Sequence, residues 1–224
     1  FQANRMEWTK GLTIPDITKE HEYCLFTCCT TAYALNGSQG EMKAAHMLPL
    51  LMSYAGVLFG TLGKDETCCG DPAHRLGDQK KALLLQEKNS RLFLEKGVQK
   101  IVTTSPHCYD AFKKQYPGLG KAVKIEHYTE LLDRLIAEGR LVPTLETDQI
   151  VTYHDPCYLG RHNDIYEAPR RILKQIPGLT LVEMPNNKEK SLCCGGGGGN
   201  AWNSAPVREH LGVIRIREAM ATGA

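Results

Sequence analysis

Two Cys-Cys-Gly triplets, Cys68-Cys69-Gly70 and Cys193-Cys194-Gly195, constrain this chain more than any other feature. Each follows an earlier cysteine at a nearly fixed interval: 38 residues separate Cys29 from Cys68, and 35 separate Cys157 from Cys193. Adjacent cysteines suit a mutual disulfide poorly, because their Cα atoms lie only about 3.8 Å apart. The interval accommodates one helix and one strand, so each half should deliver a lone thiol and a thiol pair to the C-terminal ends of its strands. Open α/β sheets bind their ligands at that edge. The segment from Phe26 to Tyr33 also answers that from Tyr153 to Gly160, and such self-similarity predicts two like lobes.

The alternation of β-rich runs with amphipathic stretches predicts an α/β protein: two pseudo-symmetric lobes, each a small parallel sheet flanked by helices. Strands are expected at 23–27, 57–62, 100–104, 123–127, 150–154 and 179–183. Helices are expected at 41–55, 79–96, 108–115, 128–138, 169–176 and 206–221. In the second helix Leu83, Leu84, Asn89, Leu92 and Phe93 return at three- and four-residue spacing, which marks a buried face. The Gly-, Pro- and charge-rich stretch 138–148 separates the halves. The expected division is therefore 1–19, an extension from a preceding domain, 20–145, the first lobe, and 146–224, the second.

Composition narrows the class. Lys plus Arg total 27 against 25 Asp plus Glu, too balanced for a nucleic-acid footprint. The longest apolar stretch, 48–59, is interrupted by Pro49, Ser53 and Gly56 and falls short of the roughly 20 residues a bilayer span needs. Disulfide frameworks belong to short, loop-rich secreted chains, whereas long helical patterns dominate here, so the nine cysteines indicate a cytosolic, metal-binding protein.

The first half offers Cys28, Cys29, Cys68, Cys69 and Cys108, with Cys24 one strand position further back. Thiolates suit iron-sulfur clusters, zinc or copper. Zinc usually takes compact Cys-x-x-Cys knuckles, and the chain has none. Thiols spread over three loops fit a polynuclear cluster better.

These residues resemble a known family. A Cys, a long gap, Cys-Cys-Gly, a second gap and a further cysteine corner, present twice, is similar to the cysteine-rich CCG domain of heterodisulfide reductase catalytic subunits and the iron-sulfur subunits of glycolate and lactate oxidases. Leu25-Phe-Thr-Cys-Cys-Thr-Thr-Ala-Tyr, Thr104-Ser-Pro-His-Cys-Tyr, Tyr153-His-Asp-Pro-Cys-Tyr-Leu-Gly-Arg-His and the glycine run after Cys194 most resemble the K subunit of the membrane complex linked to dissimilatory sulfite reductase. The resemblance implies one or two noncubane four-iron clusters at which a disulfide or thiol pair is reduced or oxidised. It implies Cys29, Cys68, Cys69 and Cys108 as ligands of the first cluster, and Cys157, Cys193 and Cys194 as ligands of the second. Ser105 stands where the family pattern has a cysteine, which makes Cys28 the replacement ligand. The corresponding corner of the second half is expected beyond Ala224. The implied partners are complex subunits with ferredoxin-type clusters and a membrane anchor, and a small protein or low-molecular-weight disulfide. The implied location is the cytoplasmic side of a membrane, held peripherally. A relay module without its own substrate is the rival reading, and a zinc-stabilised structural domain a third.

His154 and His107 flank cluster cysteines and are the candidate proton carriers, together with Asp155, since His titrates near neutrality. Gly195 to Gly199 suit a close approach of backbone amides to sulfur. Arg161, His162 and Arg170 read as a solvated basic face.

Overall fold

The computed structural model describes residues 5–17, 20–32, 39–197, 199–200 and 211–224. The chain divides into two compact units, Phe1–His74 with Asp78–Leu141, and Arg75–Gly77 with Val142–Ala224.

The first unit is built on β1 (Tyr23–Phe26), whose four residues are all buried, as a central parallel strand covered on both faces requires. After it come α1 (Cys29–Ala32), α2 (Gln39–Tyr54), β2 (Phe59–Gly60), α3 (Asp71–Arg75), α4 (Gln79–Glu95), β3 (Lys100–Thr103), α5 (Pro106–Lys114), α6 (Leu119–Ala122), β4 (Lys124–His127) and α7 (Tyr128–Ala137). The sheet runs β2-β1-β3-β4, and every pairing is parallel. Helix starts are sharply encoded. Asp78 accepts a hydrogen bond from the Lys81 N–H at 2.9 Å to open α4, and Ser105 caps α5 with Pro106 just inside it. The core behind the sheet edge is aromatic: Phe112 meets Phe26 and Tyr116 edge-on at 4.8 and 4.9 Å between ring centroids.

The segment expected as an extension packs into this unit. Trp8 is buried, Arg5 pairs with the buried Glu66, and Asp16 bridges Thr61. A side chain on Gly60 would strike the Ile17 backbone at 2.5 Å, so the glycine admits the crossing chain.

The second unit holds β5 (Ile150–Val151) parallel to β6 (Thr180–Leu181), with α8 (Glu167–Lys174) and α9 (Leu211–Met220). The mixed α/β fold with small parallel sheets is as expected. Its strands are shorter than the expected ones, because the chain leaves the ladder early to form the cysteine loops. Part of the last expected helix, 206–210, lies outside the described residues.

Arg170 corrects the solvated-face reading. It is buried, with Nη1 and Nη2 bonded to the Asp155 carboxylate at 2.7 and 2.9 Å and Nε to Glu183 at 2.6 Å. Two carboxylates compensate the desolvated guanidinium, and a lone surface position would have needed neither.

Candidate metal centre

The chain delivers cysteines after each of β1, β2 and β3: Cys28 and Cys29, Cys68 and Cys69, and Cys108 in the first turn of α5. Cys28 takes a left-handed backbone with φ 71°, a conformation that costs a non-glycine residue about 1–3 kcal/mol. Glu66 holds the turn from behind by accepting the Thr27 N–H at 3.1 Å. The second loop is clamped by Asn89, fully buried on α4, whose Nδ2 donates to the Cys68 carbonyl and to the Tyr116 hydroxyl at 3.0 Å each. Tyr116 in turn donates to the Cys69 carbonyl at 2.9 Å. Ser105 Oγ accepts the Cys108 N–H at 3.4 Å, so the serine in the expected ligand position serves as a helix cap.

These loops bring five thiols together in a closed ring of side-chain contacts. Cys29 meets Cys28 and Cys68, Cys69 meets Cys68 and Cys108, and Cys108 meets Cys28. Cys28, Cys69 and Cys108 are buried, while Cys29 and Cys68 are partly exposed, so the ring opens on one edge. Thiol neighbours and burial push Cys29 and Cys108 far above the ordinary thiol range. Cys69 goes the other way, down to about 6, because Cys108, Cys68 and the Asp71 N–H all hydrogen-bond its sulfur. Cys24 sits apart in the core, its thiol raised by burial and by the charge of Glu66.

The second unit places Cys157 after β5 and Cys193-Cys194 after β6. The sulfurs of Cys193 and Cys194 are in contact, and Cys157 feels both electrostatically. Both triplets share one local device. Gly70 and Gly195 have φ of 89° and 80°, and their N–H groups turn back onto the sulfurs of Cys68 and Cys193 at 3.5 and 3.3 Å. Gly196 donates to Cys194 at 3.5 Å, as the glycine run suggested.

The histidines are placed differently from one another. His107 Nδ1 bonds the buried Asp71 carboxylate at 2.8 Å, beside Cys108. His154 hydrogen-bonds Cys194, which is lowered to about 7, first by that bond. Asp155 is locked by Arg170 and by the Lys188 N–H at 2.8 Å, and this removes it as a proton carrier. Asp71, Asn89, Tyr116 and Glu66 also shape the site, although sequence patterning did not single them out for it. A signal existed for Asn89 alone, an amide within an apolar helical stripe.

Among the described residues no three His, Cys, Asp or Glu side chains converge as a group for one metal ion. Five thiols in a ring, with backbone N–H groups aimed at their sulfurs, instead match a donor set in which different thiolates serve different irons.

The cysteine-rich CCG domain model matches residues 23–113 and 151–224, and so includes both triplets. The chain is 41% identical over 189 residues to the EtfAB:quinone oxidoreductase of Syntrophomonas wolfei, covering 84% of this chain and 26% of that protein. It is 41% identical over 203 residues to the probable iron-sulfur-binding oxidoreductase FadF of Bacillus subtilis, covering 91% and 28%. One subunit of the dihydromethanophenazine:CoB–CoM heterodisulfide reductase of Methanosarcina barkeri is 32% identical over 231 residues, covering 100% and 54%. The chain thus spans about a quarter to a half of the length of these relatives. No solved structure matches it. With both Cys-Cys-Gly loops inside the matched segments, the chain belongs to the cysteine-rich CCG-domain family.

Proposed function

We propose that the chain is the cysteine-rich part of an iron-sulfur oxidoreductase, and that it exchanges electrons with a disulfide or thiol pair at a noncubane four-iron cluster. The observation that carries this reading is the closed ring of Cys28, Cys29, Cys68, Cys69 and Cys108. These five residues are the proposed ligands of the first cluster, and Cys157, Cys193 and Cys194 those of a second site. When bound, the cluster supplies one-electron steps and an iron able to take a substrate sulfur.

The chain's own residues supply position and protons. Reducing a disulfide to two thiols takes two electrons and two protons. The electrons come from a ferredoxin-type or flavin-type partner in the same complex. His107, oriented by Asp71 next to Cys108, is the proposed proton donor on the first unit. The partly exposed Cys29 and Cys68 mark the side from which a substrate sulfur reaches the ring, and this opening favours an enzyme over a sealed relay. Among the described residues no helix is long and apolar enough to cross a membrane, so membrane attachment is proposed through partner subunits.

Anaerobically purified full-length protein, supplied with reduced viologen, is expected to oxidise it in the presence of a low-molecular-weight heterodisulfide. Cys68→Ser should abolish that turnover. An iron-loaded protein that passes electrons to an acceptor protein yet reduces no disulfide would convert the reading to a relay.

A further inference from the structure

Arg215 carries a piece of chemistry that the proposed function leaves unassigned. It lies on α9 and is buried, donating from Nη1 to the Asn186 carbonyl and the Glu218 carboxylate at 2.7 Å each, and from Nη2 to Ser191 Oγ at 3.2 Å. Its Nε–H points at His154 Nδ1, 2.9 Å away. A guanidinium keeps its protons throughout the range in which proteins fold and can only donate. His154 Nδ1 is therefore the acceptor, and the hydrogen of the neutral ring sits on Nε2. The remaining hydrogen bond of that ring goes to the sulfur of Cys194.

We infer that Arg215 is a positioning residue that fixes His154 as the Nε2–H tautomer, a standing hydrogen-bond donor to the Cys194 sulfur. A second proton on His154 would set two N–H groups against each other across 2.9 Å. With the Gly196 N–H on the same sulfur, Cys194 receives two donors. Donors aimed at a ligand sulfur withdraw electron density and tune a bound centre. The redox consequence rests on the proposed ligand role of Cys194, whereas the tautomer is a property of the metal-free chain.

Full-length protein labelled with nitrogen-15 in its histidines and freed of iron allows a direct test by long-range nitrogen–proton correlation. His154→Gln assigns the signal. The expected result is Nε2–H in the parent and in Glu218→Gln, which alters the far side of the guanidinium, and a mixture containing Nδ1–H in Arg215→Met. Iodoacetamide should also alkylate Cys194 several-fold more slowly in Arg215→Met. An Nδ1–H or doubly protonated ring in the parent overturns the inference, and so does an unchanged tautomer in folded Arg215→Met. Should Arg215→Met fail to fold, the parent and Glu218→Gln spectra decide it. Because the sample holds no iron, failure of the second site to load metal leaves this outcome untouched.

Discussion

The two units carry the same Cys-Cys-Gly turn in different surroundings. In the first, an aromatic core of Phe26, Phe93, Phe112 and Tyr116 backs a ring of five thiols, and the backbone behind it is clamped by Asn89. In the second, a two-stranded sheet is held by buried ions, with Arg170 between Asp155 and Glu183 and Arg215 against Glu218. The triplet fixes a local geometry, positive φ at glycine and an N–H on sulfur, in both places. What surrounds it decides how many thiols meet and what tunes them: neighbouring thiols in the first unit, a histidine in the second.

The two units should differ most in the metal they hold. Cys69→Ser should remove most of the iron and acid-labile sulfide bound by this chain, and Cys194→Ser a minor fraction. Equal losses would show that the two sites are equivalent.

Next comes the ionic scaffold. Arg170→Met strands the buried Asp155 carboxylate and should destabilise the second unit by about 3–5 kcal/mol. Hydrogen exchange should then accelerate around β5 and β6, while β1, β3 and β4 keep their protection. Loss of protection in both units together would mean that they do not unfold separately.

Asn89→Leu is the counterpart in the first unit. It leaves the Cys68 carbonyl without its Asn89 donor and Thr67 Oγ1 without its acceptor, at a cost of about 1–3 kcal/mol. A lower denaturation midpoint with faster iron release is the expected result.

The smallest effect is in pH. Burial pushes His127 down to about 3, whereas an unfolded histidine titrates near 6.5. The unfolded chain binds that proton first, so the contribution of His127 is complete above about pH 6.5 and fades as pH falls toward 3. In the second unit burial works to raise Asp155, but Arg170 and the Lys188 N–H outweigh it and hold the carboxyl below its usual value. Its contribution persists down to about pH 4 before fading. The first unit should therefore weaken earlier on acidification, and His127→Gln should flatten its slope in thermal melts.

Much of this was legible in the sequence. Apolar runs placed β1, β3, β4, α4 and α7 within a residue or two, but the face of α4 that packs inward is Ala82, Gln86, Asn89 and Phe93, while the expected Leu83 and Leu84 are exposed. The thiol set was legible through spacing, since residues that end parallel strands share one sheet edge. Asp71 and Glu66 were not legible: each acts on a partner dozens of residues away, His107 or Arg5, and carboxylates scattered along a chain carry no period. Arg170 was misread because its sequence neighbours are those of a surface helix. Its burial depends on Asp155 and Glu183, which only folding brings to it.

The five thiols of the first unit are proposed to hold a polynuclear iron-sulfur centre. The most direct measurement is the difference in iron, zinc and acid-labile sulfide between the anaerobically purified full-length parent and its Cys68→Ser/Cys108→Ser variant, with iron-edge X-ray absorption on both. The variant is expected to lose iron and sulfide in equal amounts, together with an iron–iron scattering component. Loss of zinc alone, or of iron without sulfide and without iron–iron scattering, would contradict it.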